Sequence, residues 1–336
     1  MTENCPWYII QIMLFIEAME NGSVPGFGKA DNIIDTVLSR VFFFGERVIK
    51  VYKHEGDFRS LRSEFAFRKE FYAEDFFWNH ETSPEIYRKL VGVKERDGLF
   101  EIVSLDEAED FFIEMKAVEA HNNITNLLAD NKLSGDDIEA IAISYVEKLR
   151  LLTKDRKEKL SHLFEMSWLE RHHQHLEYLR EWGLAAPEYI SVDAINELID
   201  TLQQAAAGDP YFINFNPDFL SVAIDNNPDN FLYIEGKPVF IDIMPAREEW
   251  KVSDEFFSFA GTAVSVRVLG SEALSQRMYE AYKRYRLDLP QKARLIYESR
   301  SALISFLYRH MTGKHELGER FREALEDNMS ALKKLL

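Results

Sequence analysis

The chain has 336 residues, 46% hydrophobic and 29% charged, which suits a folded globular protein of one large or two moderate domains. Its formal net charge of -17 argues against nucleic acid as a main partner, because such proteins present basic surfaces that displace phosphate counterions. Cys5 is the single cysteine, which excludes an intrachain disulfide and a cysteine zinc site and fits a reducing cytoplasm.

Residues 8–20 carry apolar positions at helical period, and Asn21-Gly22 followed by Pro25-Gly26-Phe27-Gly28 marks a loop, so residues 1–30 read as an N-terminal helix and loop. The run Trp7 to Ile16 is too short for a bilayer and contains Gln11, so it reads as a packed helix rather than a membrane anchor. Thr36 to Phe44 and Arg47 to Tyr52, parted at Gly45-Glu46, predict an antiparallel pair of strands. Phe58 to Asn79 predicts an amphipathic helix with Phe67, Phe71, Glu74 and Trp78 on one face. A carboxylate on an aromatic face is costly unless paired, so Glu74 is expected to meet a cation, with Glu70 one turn earlier as the alternative.

Ser83-Pro84 ends that helix, Ile86 to Val93 and Phe100 to Ser104 are strand-like runs around Asp97-Gly98, and Phe111 to Met115 is a further strand. From Asn123 the pattern turns helical, with Ser134 as an N-cap before Ile138 to Leu152, then Trp168 to Trp182 and Val192 to Ala207. His172, His173 and His175 fall on the second of these helices; without an acid at useful spacing they read as a solvated face, not a metal site. Four helical segments follow Asp254, with breaks near Gly270, Pro290 and Gly313.

The most informative stretch is Ala223 to Pro245. Phe231 to Ile234 and Pro238 to Ile241 read as a β-hairpin around Glu235-Gly236-Lys237, which folds Asn230 and Asp242 toward each other while Asp225 lies on the preceding loop. The string Asp-Asn-Asn-Pro-Asp-Asn would by itself suit a plain turn. Followed by a hairpin and Asp242, it has the kinase spacing D-x-x-x-x-N and then Asp, in which the first Asp orients the acceptor hydroxyl and the Asn and second Asp hold magnesium.

With those residues in place, the segment resembles the catalytic loop of the aminoglycoside phosphotransferase-like kinases, whose pattern is H-G-D-x-x-x-x-N, a hairpin, then Asp. It is most similar to a bacterial branch of that superfamily often named only as "aminoglycoside phosphotransferase family enzyme". Ile34 to Lys53, reading IDTVLSRVFFFGERVIKVYK, resembles the branch's opening strands, and Asp254 sits where the family has an aspartate that braces the catalytic loop. Three blocks thus occur in order over roughly residues 8 to 312. Two positions depart from the pattern: Ala223-Ile224 replace the His-Gly, and Ser258 replaces a further aspartate.

The resemblance implies an α+β, bilobal protein kinase-like fold. Residues 31–116 would form a small antiparallel β-sheet N-lobe with one key helix, and 117–336 a mostly helical C-lobe carrying the catalytic hairpin within 223–242. It implies ATP or GTP with magnesium as cofactors and a small-molecule hydroxyl as acceptor, with a protein acceptor left open and no role for nucleic acid or membrane. Asp225 and Asn230 would be catalytic, with Asn230 and Asp242 on the metal. Lys50 in Val48-Ile49-Lys50 would grip phosphates, with Lys53 as fallback and Glu74 as its partner. No G-x-G-x-x-G is present, so backbone groups and the hydroxyls of Thr36 and Ser39 would take its place, while Met115 to Ala117, including Lys116, would face adenine. The departures at Ala223-Ile224 and Ser258 keep a second expectation open, a kinase-like nucleotide-binding protein that has lost efficient chemistry.

Overall fold

The computed structural model describes residues 7–36, 38–53, 65–225, 227–245, 247–286 and 289–336. Cys5 and positions 58–64 of the expected first-lobe helix lie outside these. The described residues form two compact units, one from the chain up to residue 120 together with Phe240–Asp242, the other from 121–239 and 243–336.

In the first unit a helix α1 (Trp7–Asn21) precedes strands β1 (Asn32–Asp35), β2 (Ser39–Phe44) and β3 (Arg47–Tyr52). Helix α2 (Phe65–Thr82) follows, then β4 (Tyr87–Arg96), β5 (Leu99–Val103) and β6 (Asp110–Lys116). They build one antiparallel six-stranded sheet in the order β1-β2-β3-β6-β4-β5, with Lys50 opposite Val41 on β2 and Ile113 on β6. The run expected over Thr36 to Phe44 is the strand β2, shorter at its start, and β1 before it is a further strand paired antiparallel on β2. Phe15 and Met19 of α1 are fully buried against Phe42, Phe100 and Phe112, so α1 belongs to this core rather than to a separate segment.

The polar residues of α2 do much to hold it on the sheet. Arg68, Tyr72, Asp75, Asn79 and Thr82, spaced i, i+4, i+7, i+11 and i+14, are all buried, and Arg68 grips Asp110 of β6 through Nε at 2.5 Å and Nη2 at 3.1 Å. Phe67, expected on the buried face, is exposed.

The second unit contains α3 (Ile124–Ala129), α4 (Gly135–Arg156), α5 (Ser161–Phe164), α6 (Trp168–Leu184), α7 (Val192–Ala207) and α8 (Pro210–Ile213). Strand β7 (Leu220–Val222) and the hairpin β8 (Phe231–Ile234) and β9 (Lys237–Phe240) come next, then β10 (Val252–Asp254), α9 (Glu255–Leu269), α10 (Glu272–Tyr282), α11 (Gln291–Met311) and α12 (His315–Lys333). Ser134 caps α4 in a reciprocal capping box with Asp137. Helix α9 is buried nearly all round and packs on α4, α10 and α11, which makes it the central rod of the unit. Strands β7 and β10 pair antiparallel and frame the start of the loop at 223. The β8–β9 connection is the two residues Glu235 and Gly236, both at positive φ, shorter by one than expected.

The histidines of α6 are a correction. His172 and His175 are buried, not solvated, because Arg300 of α11 donates Nη1 to His172 Nδ1 at 3.0 Å and Nη2 to His175 Nδ1 at 2.6 Å. An arginine can only donate, so both Nδ1 atoms are unprotonated acceptors, and His175 Nε2–H donates to the Glu249 carbonyl at 2.9 Å.

Candidate active site

Lys50 is buried in the middle of the sheet. Its Nζ lies 2.5 Å from Asp242 Oδ1, 3.5 Å from Asp75 Oδ2 and 4.7 Å from the centre of the Tyr52 ring. Burial alone would push the ammonium toward neutrality, but the carboxylates of Asp242 and Asp75 outweigh it and raise its pKa, so Lys50 stays charged. Burial, with Asp242 adding to it, raises the Asp75 carboxyl, which accepts from Tyr52 OH at 2.7 Å and Asn79 Nδ2 at 2.9 Å.

The helix carboxylate beside Lys50 is Asp75, not Glu74 or Glu70. Glu70 is exposed and Glu74 only half-buried, because the face of α2 turned to the sheet is the one that carries Arg68 and Asp75, one residue round from the aromatic face read in the sequence. Asp75→Ala is expected to lower stability by about 3 kcal/mol, since it leaves a buried ammonium with half its pairing, whereas Glu74→Ala should cost less than about 1 kcal/mol. Urea unfolding of the two variants measures the difference.

Residues 240–242 are fastened to the first unit by side chains of the α2–β4 corner. Ser83 Oγ donates to the Phe240 carbonyl at 2.7 Å, and the Asp242 N–H donates to Tyr87 OH at 2.8 Å. Asp242 itself has φ 51, the left-handed region that non-glycine residues seldom occupy, and its side chain is 54% exposed.

Other expected nucleotide contacts have local duties. Thr36 Oγ1 donates to the Ser39 carbonyl and accepts from the Ser39 N–H at 2.9 and 2.8 Å, and it pairs with the buried Ser39 hydroxyl at 2.9 Å, so both side chains close the β1–β2 turn. Lys53 pairs with Asp35 at 2.9 Å. Met115 is buried, and the N–H groups of Lys116 and Ala117 donate to the carbonyls of Ile86 and Glu46, both at 2.8 Å. A base bound there would therefore meet carbonyl acceptors or the chain beyond Ala117.

In the second unit Asp225 is half-buried at the end of the segment that leaves β7. Its N–H donates to the carbonyl of Ile243, the residue after Asp242, at 2.7 Å, and the Ala223 N–H donates to the Lys251 carbonyl at 2.8 Å. Asp225 Oδ1 accepts the Asn227 N–H at 3.0 Å, an Asx turn that starts the loop. A short turn at Pro228–Asn230 brings Asn230, also half-buried, to the start of β8. Asp229 accepts from Arg309 Nη1 at 2.7 Å, Lys314 Nζ at 2.9 Å and Thr125 Oγ1 at 2.5 Å. Burial pushes its carboxyl up, but Arg309 and Lys314 prevail and bring it down to about 2. Asp229 and Arg309 were not singled out in the sequence; a second acid beside Asn230 was the signal for the first, and Arg309 leaves none.

Asp254, expected to brace the catalytic loop, instead caps α9 through the Phe256 N–H at 2.8 Å and accepts from Tyr297 OH at 2.6 Å, Tyr211 OH at 3.0 Å and Arg286 Nη1 at 2.5 Å. Ser258 is buried on α9, its hydroxyl facing that of Tyr145. Among the described residues no group of three or more His, Cys, Asp and Glu side chains forms a metal-holding cluster, and no helix is long and apolar enough to cross a membrane. Magnesium asks for less, since it binds through one or two carboxylates with water and phosphate oxygens completing its shell.

No family model matches the chain, and no curated protein matches it. Solved structures do. The GDP complex of wild-type aminoglycoside 2'-phosphotransferase-IIIa is 13% identical with a TM-score of 0.56, over 95% of this chain and 98% of that one. Choline kinase from Cryptosporidium parvum is 11% identical with a TM-score of 0.57, over 97% and 96%. A thermostable mutant of aminoglycoside phosphotransferase APH(4)-Ia, in ternary complex with AMP-PNP and hygromycin B, is 11% identical with a TM-score of 0.54, over 93% and 97%. At such identities the likeness is one of fold. The six-stranded antiparallel sheet with its helix, followed by a mostly helical unit, is the protein kinase-like fold of these phosphotransferases.

Proposed function

We propose that this chain is a magnesium-dependent phosphotransferase that moves the γ-phosphate of ATP or GTP to a hydroxyl of a small molecule. The observation that carries the reading is the buried, charged Lys50 held by Asp75 and Asp242. Such an ammonium is ready to exchange a carboxylate for nucleotide phosphates. The solved relatives in fold include one with GDP and one with AMP-PNP and hygromycin B, which fits a nucleotide and a small acceptor here.

In this reading Asp225 orients the acceptor hydroxyl and takes its proton as the oxygen bonds to the γ-phosphorus, while the bond to the bridging oxygen breaks and its electron pair leaves with the nucleoside diphosphate. Lys50 neutralises charge on the phosphates, and Asp75 keeps its side chain aimed. Asp242, with half its side chain open, and the Asn230 amide offer the hard oxygens that suit magnesium, which when bound would neutralise the phosphate oxygens. We place the protein in the cytoplasm on its single cysteine.

A second reading is a nucleotide-binding regulator without efficient transfer. It is favoured by Ala223 and Ile224, two buried apolar side chains where the resemblance expects His-Gly. Thermal melting with ATP or GTP, each with and without magnesium, tests both. A magnesium-dependent rise in Tm, diminished in Asp242→Asn, is expected. No rise with either nucleotide at millimolar concentration overturns both readings, and a rise without transfer to any hydroxyl in an acceptor screen selects the second.

A further inference from the structure

Asn227 is the hub of the loop from Asp225 to Asn230. Its N–H donates to Asp225 Oδ1 at 3.0 Å, its backbone carbonyl accepts the Asn230 N–H at 2.9 Å, and its side-chain oxygen accepts the Asp229 N–H at 3.2 Å. The proposed base and the proposed metal ligand are thus bonded to one intervening residue. That residue is in turn held from α11: Arg309, its side chain only 1% exposed, donates Nη2 to Asn227 Oδ1 at 3.2 Å and Nη1 to Asp229 Oδ2 at 2.7 Å. A guanidinium presents its donors as a rigid planar fork, so a single side chain fixes two loop residues in relation to each other. Lys314 and Thr125 hold Asp229 from two further directions.

Resting on the phosphotransferase reading, we propose that Arg309 is a positioning residue, which acts through Asn227 and Asp229 to hold Asp225 and Asn230 in the geometry that transfer requires. Lysine keeps the charge but lacks the fork. Arg309→Lys should therefore retain the fold and lose the double grip, while Arg309→Met should lose both the grip and the charge. Asn227→Ala removes the side-chain acceptor without touching α11, and it serves if Arg309→Met does not fold.

The test compares wild type with these variants by amide hydrogen exchange over residues 223–231 and by calorimetry of ATP binding, once with magnesium and once with EDTA. Arg309→Lys and Asn227→Ala are expected to speed exchange in the loop by about tenfold, with the middle of α11 unchanged, and to weaken binding of magnesium-ATP by about tenfold while ATP in EDTA binds as before. Arg309→Met should lose more on both counts, so that lysine gives partial rescue. Unchanged loop exchange in Arg309→Lys and Asn227→Ala, or an equal loss of affinity with and without magnesium, overturns the proposal. A wild type with no affinity for magnesium-ATP removes the phosphotransferase reading instead, and the exchange comparison still decides whether Arg309 orders the loop.

Discussion

Replacing Asp225 by Asn is expected to lower phosphoryl transfer by about a hundred- to ten-thousandfold, the range over which a positioned general base acts, while nucleotide affinity changes by less than about twofold. The substitution is nearly isosteric. Asparagine keeps an oxygen for the Asn227 N–H and keeps its own N–H on the Ile243 carbonyl, so the loop retains its shape. What is lost is the negative charge that draws the acceptor proton. Single-turnover transfer from labelled nucleotide, with calorimetry of nucleotide binding alongside, separates the two effects. Undiminished transfer would take the base role from Asp225, and an equal fall in affinity would show that its charge serves binding instead.

Mild acid should lower the protein's stability steeply, and the cause lies far in sequence from that loop. Burial, reinforced by the Arg300 guanidinium, holds His175 down to about 3 and His172 well below its ordinary value. Both are therefore neutral in the folded state across the neutral range, whereas in the unfolded chain each takes a proton near pH 6.5. A pKa depressed on folding gives stability that is complete above the unfolded value and is lost as pH falls toward the folded one. Each histidine then costs about 1.4 kcal/mol per pH unit below 6.5, or about 4 kcal/mol for the pair between pH 7 and pH 5. Asp229, held at about 2, loses its contribution only below about pH 4 and does not disturb this window. Urea unfolding at pH 7 and pH 5 checks the slope, which His172→Gln and His175→Gln should flatten. The same slope in wild type and both variants would place the acid-sensitive groups elsewhere.

The hairpin, the loop with Asp225 and Asn230, and Asp242 beyond it were legible because glycine, turn formers and short apolar runs mark them directly. The face of α2 was not. Hydrophobic periodicity counts Arg68, Asp75 and Asn79 as outward residues, yet ion pairs with Asp110 and Lys50 bury Arg68 and Asp75, Asn79 donates to Asp75, and the aromatic Phe67 is left in solvent. The histidines of α6 were misread for the same reason, since the distant Arg300 and, for His175, the Glu249 carbonyl make their burial tolerable. Strand β1 was hidden differently: all four of its residues are exposed, so it lacks the alternation that betrays a half-buried strand. On α2 and α6 each miss is a residue whose environment is set by a partner remote in sequence.

The left-handed backbone at Asp242 constrains the position twice over. Glycine, asparagine and aspartate tolerate that conformation at little strain, while alanine and branched residues do not. A lineage that gave up phosphoryl transfer would be free to lose the carboxylate, yet backbone geometry would still favour these three residues there. Aspartate at 242 is therefore weak testimony to a working enzyme, and a drift to asparagine there would be weak testimony against folding. Lys50 is under no such backbone restraint. In descendants of this chain, a buried methionine or leucine at position 50 would be the clearer mark of a discarded nucleotide.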